Sequence, residues 1–128
     1  MSAMSDYLEN EILDHILGTG AYTMPTTVYV GLSTGSFGDD NSGTELSGSG
    51  YARQSISFGA AASGTASNDA AVEFPAATGS WGTLSHFGIF DAASSGNLLI
   101  HGALTASKVI ETGDILKIAI GDMDITAA

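Results

Sequence analysis

Two apolar runs separated by a loop of small polar residues constrain the fold of this chain more than any other feature. The first run extends from Trp81 to Phe90, the second from Asn97 to Leu104, and the loop Asp91–Gly96 lies between them. Strand-length apolar runs on either side of such residues are typical of a β-hairpin. The stretch from Trp81 to Phe90 has no charged residue, so it is suited to strand pairing and packing rather than to catalysis.

The chain after Pro25 has the composition of β-structure throughout. Thr26–Ser33 is rich in β-branched and aromatic residues, and Tyr51–Phe58 alternates as a half-buried strand does. We predict further strands at Ala71–Phe74, Lys108–Ile110, Ile115–Ile120 and Met123–Thr126, and a small, polar connection at Gly59–Asp69. Short strands at this spacing predict a single-domain, mainly β fold, an antiparallel β-sandwich or barrel over residues 26–126.

One α-helix is predicted before the strands, over residues 5–17. Ser5 can act as its N-cap, and Gly18 follows its end. Leu8, Ile12 and Ile16 recur at four-residue spacing and form an apolar stripe, which Leu13 and Leu17 widen. A helix this short depends on packing for its stability. We therefore expect the stripe to cover one open end or face of the β domain.

Length and charge exclude several classes of protein. A chain of 128 residues is expected to form one domain, residues 1–128, and the absence of cysteine excludes disulfides and thiolate metal sites. Three basic residues against 14 acidic ones give a formal net charge of −11, so nucleic acid and anionic membranes are not expected partners. The sequence has neither a secretory signal nor an apolar run near the ~20 residues of a membrane span, which predicts synthesis as a soluble cytoplasmic product.

The segment 34–50 is rich in glycine, serine and acidic residues, and we predict a long irregular loop there. Within it, Asp39–Glu45 resembles an oxygen-rich calcium loop, but glycine falls at position 5 rather than 6. A solvated acidic loop is the default interpretation, with a bound cation as the alternative.

Two motifs suggest chemistry but have simpler explanations. Gly31-Leu-Ser-Thr-Gly35 matches the pattern of a hydrolase nucleophile, yet a glycine- and serine-rich loop follows where that mechanism needs a helix. Exposed aromatic residues could bind a glycan, but Trp81 is the only tryptophan and Phe87 and Phe90 lie in a probable core strand, so core packing is the better account. We predict no catalytic residue and no cofactor site.

The three histidines are the remaining candidates for a functional site. His15 lies on the predicted helix, where it would be partly exposed. If Phe90 pairs with Asn97, His86 lies opposite His101 on the same face of the hairpin, close enough to share a metal. A zinc site needs further ligands that the neighbouring sequence does not offer, so we expect two structural histidines and no metal site.

From about Met4 to Thr126 the chain resembles a family of small virion proteins of tailed bacteriophages. The resemblance rests on collinear segments, which are Tyr7-Leu-Glu-Asn with Leu13-Asp-His; Ala21-Tyr-Thr with Pro25-Thr-Thr-Val-Tyr-Val-Gly-Leu32; Gly43-Thr-Glu with Gly50-Tyr-Ala-Arg-Gln54; Val72-Glu-Phe-Pro75; Trp81-Gly-Thr with His86-Phe-Gly-Ile-Phe-Asp91; and Gly96-Asn-Leu-Leu with His101-Gly-Ala-Leu104. The chain departs from the family at Gly121-Asp-Met-Asp124, where acidic residues replace an apolar continuation.

The resemblance implies a structural protein of the virion, made in the host cytoplasm and either fibre-like or a decoration (cement) protein of the head. A fibre shaft is built from heptads or a solenoid repeat, and this sequence has neither. That favours head decoration, with the major capsid protein or other virion subunits as partners. A tail, baseplate or tail-fibre position with a receptor- or glycan-binding role is the alternative. A symmetric homo-oligomer such as a trimer is expected in either position.

Overall fold

The computed structural model describes residues 2–127, so the first and last residues of the predicted domain lie outside the described part. The elements in chain order are β1 (Ser2–Met4), α1 (Asp6–Ile16), β2 (Val28–Ser33), β3 (Gln54–Ile56), β4 (Thr65–Ser67), β5 (Val72–Glu73), β6 (Gly82–Phe90), β7 (Leu98–Ile110), β8 (Lys117–Ile118) and β9 (Asp124–Thr126). The predicted fold class, mainly β with one N-terminal helix, is confirmed. No helix among the described residues is both long and apolar enough to cross a membrane.

All strand pairs are antiparallel, and they form one large and two small sheets. The large sheet has the strand order β1-β7-β6-β2-β3, and β4-β9 and β5-β8 form the two small ones. The β6–β7 hairpin is the centre of the large sheet, because β2 adds to one side of it and β1 to the other. This arrangement is consistent with a β-sandwich.

The main hydrophobic core lies between the large sheet and the two small ones. The inner face of the large sheet supplies Val30, Leu32, Phe87 and Ile89, and Val72, Ile118 and Met123 come from β5, β8 and the residue before β9. These side chains alternate along their strands, as expected where one face of a sheet is buried. The core therefore holds the three sheets together.

A second, smaller cluster covers the opposite face of the large sheet. Phe37 of the long loop packs edge-on against Phe90, with ring centroids 5.6 Å apart, and Leu98 completes the cluster. Among the described residues none from 34 to 50 belongs to a strand, yet Phe37 is only 1% exposed. The loop is thus irregular but anchored.

The hairpin is longer than predicted. Lys108–Ile110 is not a separate strand but the end of the 13-residue β7. The register shifts between Leu84, opposite Lys108, and His86, opposite Ala103, so β7 uses more residues than β6 over this stretch. The irregularity is a bulge. No glycine or proline lies between Leu104 and Lys108 to make a turn, so the chain bends and continues.

Other strands differ from the prediction in length or position. The predicted strand Tyr51–Phe58 is reduced to β3, and Ile115–Ile120 to the two residues of β8. Two short strands were not predicted: β1, which pairs with β7, and β4, which lies inside the predicted connection Gly59–Asp69 and pairs with β9. Both have only three residues and pair with strands far along the chain, so no local sequence pattern predicts them.

Candidate assembly surface

The start of helix α1 is fixed to the sheet by Ser5. Its hydroxyl accepts a hydrogen bond from the backbone N–H of Leu8 at 3.2 Å, which confirms the predicted N-cap. The same hydroxyl donates to the carbonyl oxygen of Leu98 at 2.5 Å, and the backbone N–H of Ser5 donates to Leu99 at 2.8 Å. Ser5 is 1% exposed, so the helix leaves the sheet from a buried, doubly bonded cap.

Beyond its first turns the helix does not pack on the β domain. Leu8 is buried, but Ile12 is 37%, Leu13 55%, Ile16 72% and Leu17 71% exposed. The prediction that the Leu8, Ile12 and Ile16 stripe covers the β domain is therefore wrong, apart from Leu8. The physical reason is the attachment at Ser5, which holds the first turn against β7 and lets the rest of the helix project.

The exposed apolar residues of the helix lie on one side of it. At 3.6 residues per turn, Ile12, Leu13, Ile16 and Leu17 lie within an arc of about 140°. We call these four residues the apolar helix face. Scattered apolar residues are normal on a protein surface, but a contiguous group marks an interaction site. The apolar helix face is the first candidate for contact with another subunit.

The charges around this face are all negative. The first turn carries Asp6 and Glu9, and Glu11 and Asp14 follow. At the far end of the helix, the ring nitrogen Nδ1 of His15 accepts a hydrogen bond from the backbone N–H of Tyr22 at 3.2 Å. Burial raises the pKa of the Tyr22 phenol, and the nearby Tyr7, Asp91 and Glu11 raise that pKa further. A partner for this face must therefore tolerate or neutralise carboxylates.

An open groove lies on the second half of β7. Its lining includes Leu104, Ala106 and Lys108 of β7 and Leu116 and Lys117 near β8, and it encloses about 400 Å³. We call it the lysine groove, because it contains both lysines of the chain. Asp122 is the one carboxylate in the lining. Lys117 lies 3.8 Å from Glu73 in an exposed pair, and Lys108 makes no ion pair within residues 2–127.

The chain's single arginine holds the long loop in place. Arg53 binds both carboxylate oxygens of Glu45, at 2.8 to 3.1 Å, and donates to the carbonyl oxygens of Ala92 and Ser95 in the hairpin loop. Its guanidinium carbon lies 3.6 Å from the centre of the Phe90 ring. Sequence reasoning missed this cluster, although one arginine in so acidic a chain was a signal that could have found it.

Tyr51 extends the same network into the core. Its hydroxyl donates to Glu45 at 2.5 Å and accepts from the backbone N–H of Leu32 at 2.9 Å. Burial, followed by the hydrogen bond to Glu45, raises the pKa of this phenol far above its usual value. The arrangement joins β2, the long loop and the segment before β3, and it presents no free polar group for chemistry.

The hydrolase-like motif ends β2 and turns into the long loop. The Ser33 hydroxyl donates to the carbonyl oxygen of Thr44 at 2.6 Å and accepts from the backbone N–H of Gly35 at 3.1 Å. Ser33 is 2% exposed, and no helix follows it before residue 50. Its hydroxyl is thus engaged in closing the loop rather than directed at a substrate.

The predicted pairing of the histidines is wrong in register but right in face. His86 lies opposite Ala103 and His101 opposite Gly88. Phe90 pairs with Leu98 rather than with Asn97, and an irregularity between Ile89 and Phe90 shifts the register by one residue more. Partners and alternate residues share a face, so both histidines point to the same side as diagonal neighbours. His101 Nε2 lies 2.7 Å from Asp39 Oδ1 and His86 Nδ1 2.7 Å from Ser85 Oγ. Both rings have local polar partners.

The acidic loop does not gather into a metal-binding cluster within residues 2–127, where no group of three or more histidine or acidic side chains could hold an ion. Asp40 bonds locally, because its carboxylate accepts from the backbone N–H of Ser42 at 3.0 Å. Hydrogen bonding from the Ser42 side chain, and then from its backbone, lowers the pKa of Asp40. Asp39 contacts His101 instead. The acidic residues of the loop are accordingly spread among separate contacts.

Trp81 belongs to the core. It is 4% exposed, its indole N–H donates to the carbonyl oxygen of Ser49 at 2.9 Å, and its ring meets Tyr51 and Phe74 edge-on. The prediction of core packing is confirmed, and this ring has no open face for stacking on a sugar.

The model of the family described as "Podophage GP4 fiber I protein gp80" matches residues 3–126, which is nearly the entire chain. A search of curated proteins finds no match.

Proposed function

The chain belongs to the family of podophage GP4 fiber I protein gp80 and is therefore a phage virion structural protein, and we propose that it is a non-enzymatic subunit of the tail-fibre apparatus. It would join other virion subunits through the apolar helix face. The family description supports a fibre position over the head-decoration position that the sequence analysis favoured. The single observation that carries the proposed mode of action is the exposure of Leu13, Ile16 and Leu17, at 55%, 72% and 71%.

An exposed apolar face on a rigidly capped helix suits docking into a groove of another protein. Such recognition places residues at i, i+3, i+4 and i+7 of a helix against the partner. Burial of apolar surface supplies roughly 25 cal/mol per Å². The fold contributes by fixing where the helix starts, so the entropy of orienting it is lost on folding rather than on assembly.

The hydrogen bonds of the polar side chains support a structural rather than a catalytic role. Ser33, Arg53 and Tyr51 all bind other parts of the same chain. These contacts hold the long loop against the sheet.

The proposal is tested by incorporation into phage particles. A phage lacking its own copy of the protein is grown with Leu13→Glu/Leu17→Glu supplied in trans, and the amount in purified particles is measured. The matched control is Ala60→Glu/Ala61→Glu, which adds the same two charges at exposed positions of a polar loop.

We expect the control in particles at the wild-type level and the helix variant at less than a tenth of it. Wild-type incorporation of the helix variant would refute the helix face as the docking surface. Separated heads and tails from the same preparation decide the position, since the proposal requires the protein in the tail fraction and not in the head fraction.

A further inference from the structure

We propose that His101 and Asp39 are positioning residues, which fix the direction of helix α1 so that the long loop holds the apolar helix face in place for docking. This inference rests on the proposed function, because it names what orients the docking helix. It is carried by a series of contacts that runs from β7 through the long loop to the first residue of the helix.

His101 is a buried residue that belongs to neither hydrophobic cluster. It lies on β7, opposite Ala3 of β1 and Gly88 of β6, and it is 9% exposed. A buried polar side chain is costly unless it finds a hydrogen-bond partner. An apolar residue would therefore fill this position at less cost, so the contact that His101 makes is the reason to look beyond packing.

The partner of His101 is the carboxylate of Asp39 in the long loop. His101 Nε2 lies 2.7 Å from Asp39 Oδ1. An ionised carboxylate has only acceptors, so the ring N–H donates this bond. The side chain of Asp39 is 58% exposed and open to water. The bond is therefore not needed to satisfy Asp39, and its effect is to hold the loop to β7.

The backbone of Asp39 bonds to the helix at the same time. Its carbonyl oxygen accepts from the backbone N–H of Asp6 at 2.8 Å, and Asp6 is the first residue of α1. The first N–H groups of a helix have no partner within the helix, so Asp39 satisfies one of them. Strand β7, the long loop and helix α1 are thus joined at one residue of the loop.

The loop around Asp39 has a defined shape. The backbone N–H of Asn41 donates to the carbonyl oxygen of Gly38 at 3.1 Å and closes a turn, in which these two residues have φ of 57° and 73°. Directly before the turn, the buried Phe37 packs against Phe90. A closed turn on a buried anchor gives the carbonyl oxygen of Asp39 a fixed position from which to hold the helix.

A second attachment matters because the apolar helix face lies far from the cap. The cap at Ser5 fixes where the helix begins, and the bond to Asp39 adds a second point that limits tilting. At the rise of an α-helix, Ile16 lies about 15 Å along the axis from Asp6, so a tilt of about 20° would move it by about 5 Å. That displacement exceeds the distance of an apolar contact, about 4.5 Å. A helix of fixed direction avoids this loss on docking.

Two adjacent carboxylates of the turn provide the test and its control. Asp39→Ala removes the acceptor for His101, and Asp40→Ala is the matched control, because Asp40 bonds to Ser42 within the loop. Asp39→Asn keeps an oxygen that accepts from His101 and so tests rescue. Thermal unfolding verifies that each variant is folded. If Asp39→Ala is not, Asp39→Ser replaces it, since its hydroxyl is too short to reach the ring.

Spin labels report the direction of the helix. The chain has no cysteine, so Ile16→Cys on the helix and Val109→Cys on β7 give one label each, at residues that are 72% and 61% exposed. Double electron–electron resonance then measures the distribution of distances between the labels. Separately, the unlabelled variants are titrated onto particles of a phage that lacks its own copy of the protein, and the concentration for half-maximal binding is measured.

We expect a narrow distance distribution in the wild type, in Asp40→Ala and in Asp39→Asn, and a clearly broader one in Asp39→Ala. The concentration for half-maximal binding should rise about threefold to tenfold for Asp39→Ala alone, because the helix must then be oriented on docking. A contact that only stabilised the loop would leave the distance distribution of Asp39→Ala as narrow as that of the control.

A broad distribution in the wild type, an unchanged distribution or unchanged binding in Asp39→Ala, or a failure of Asp39→Asn to restore both readings would each overturn the inference. None of these results would refute the proposed function, which is tested by the incorporation of Leu13→Glu/Leu17→Glu. A wild type that does not bind the particles would contradict the proposed function and, with it, this inference.

Discussion

Arg53 is the residue at which the long loop, the hairpin loop and the sheet are joined. It binds Glu45 in the long loop, two carbonyl oxygens in the hairpin loop and the ring of Phe90 in the sheet. Its side chain is 9% exposed and that of Glu45 22%. A charge pair so largely withdrawn from water is costly to break, because the remaining carboxylate stays buried without its partner.

Replacing Arg53 should therefore destabilise the fold more than any surface charge would. We expect Arg53→Gln to lower the free energy of unfolding by about 2–4 kcal/mol. The matched control is Lys117→Gln, whose pair with Glu73 is exposed and should be worth less than about 1 kcal/mol. Urea unfolding of both variants measures the difference, and equal effects would contradict the role given to Arg53.

Because the phenol of Tyr51 is buried, we expect the folded protein to lose stability at alkaline pH. Burial and the bond to Glu45 raise the pKa of its phenol in the folded state, whereas in the unfolded chain it ionises near pH ~10. The contribution of a raised pKa is present below the unfolded value and is lost as the pH rises above it. The slope for one such group is up to about 1.4 kcal/mol per pH unit.

The test compares the wild type with Tyr51→Phe between neutral pH and pH ~11. The variant should be less stable at neutral pH, because Glu45 and the backbone N–H of Leu32 lose a partner. Its stability should then fall less steeply above pH ~10. If the unfolding free energies of the wild type and the variant fell in parallel with pH, the Tyr51 phenol would ionise as freely in the folded protein as in the unfolded chain.

Helix α1 is buried at its start and exposed at its end. Its first turns are part of the fold, through the cap at Ser5 and the buried Leu8, and its later turns present the apolar helix face. Leu8→Ala should therefore cost about 2–3 kcal/mol of unfolding free energy. Ile16→Ala should stay within about 0.5 kcal/mol of the wild type. Thermal or urea unfolding of the two variants would contradict this division if Ile16 cost as much as Leu8.

The sequence predicted the elements with strong local patterns and missed those that depend on distant contacts. The N-cap at Ser5 and the apolar hairpin strands were predicted because cap chemistry and strand composition are local. The bulge before Lys108 and the pairing of β1 with β7 were not, because both are set by partners far along the chain.

The proposed docking surface was located in the sequence, but it was predicted to be buried against the same chain. An apolar stripe at helical spacing predicts burial equally well against the same chain or against another one. The direction in which the helix leaves Ser5 decides between the two, and that direction depends on bonds to Leu98 and Leu99 that no helical pattern contains. The lysine groove could not be predicted from the sequence either, since only the fold brings the second half of β7 next to β8.

At the scale of the whole molecule, the protein is an acidic β domain that exposes an apolar helix face. Its net charge of −11 favours solubility before assembly and opposes random association. Contact is then favoured only where apolar surface is buried and carboxylates are neutralised. This combination suits a virion subunit that must stay dispersed in the host until its partner is available.

A high-resolution reconstruction of the intact phage particle tests the central claim most directly. The account predicts that atoms of another subunit lie within about 4.5 Å of Leu13, Ile16 and Leu17, the distance of apolar contact. It also predicts that the polar loop at Ala60 and Ala61 need not be covered. A reconstruction in which the apolar helix face is open to solvent, and another surface carries the contacts, would contradict it.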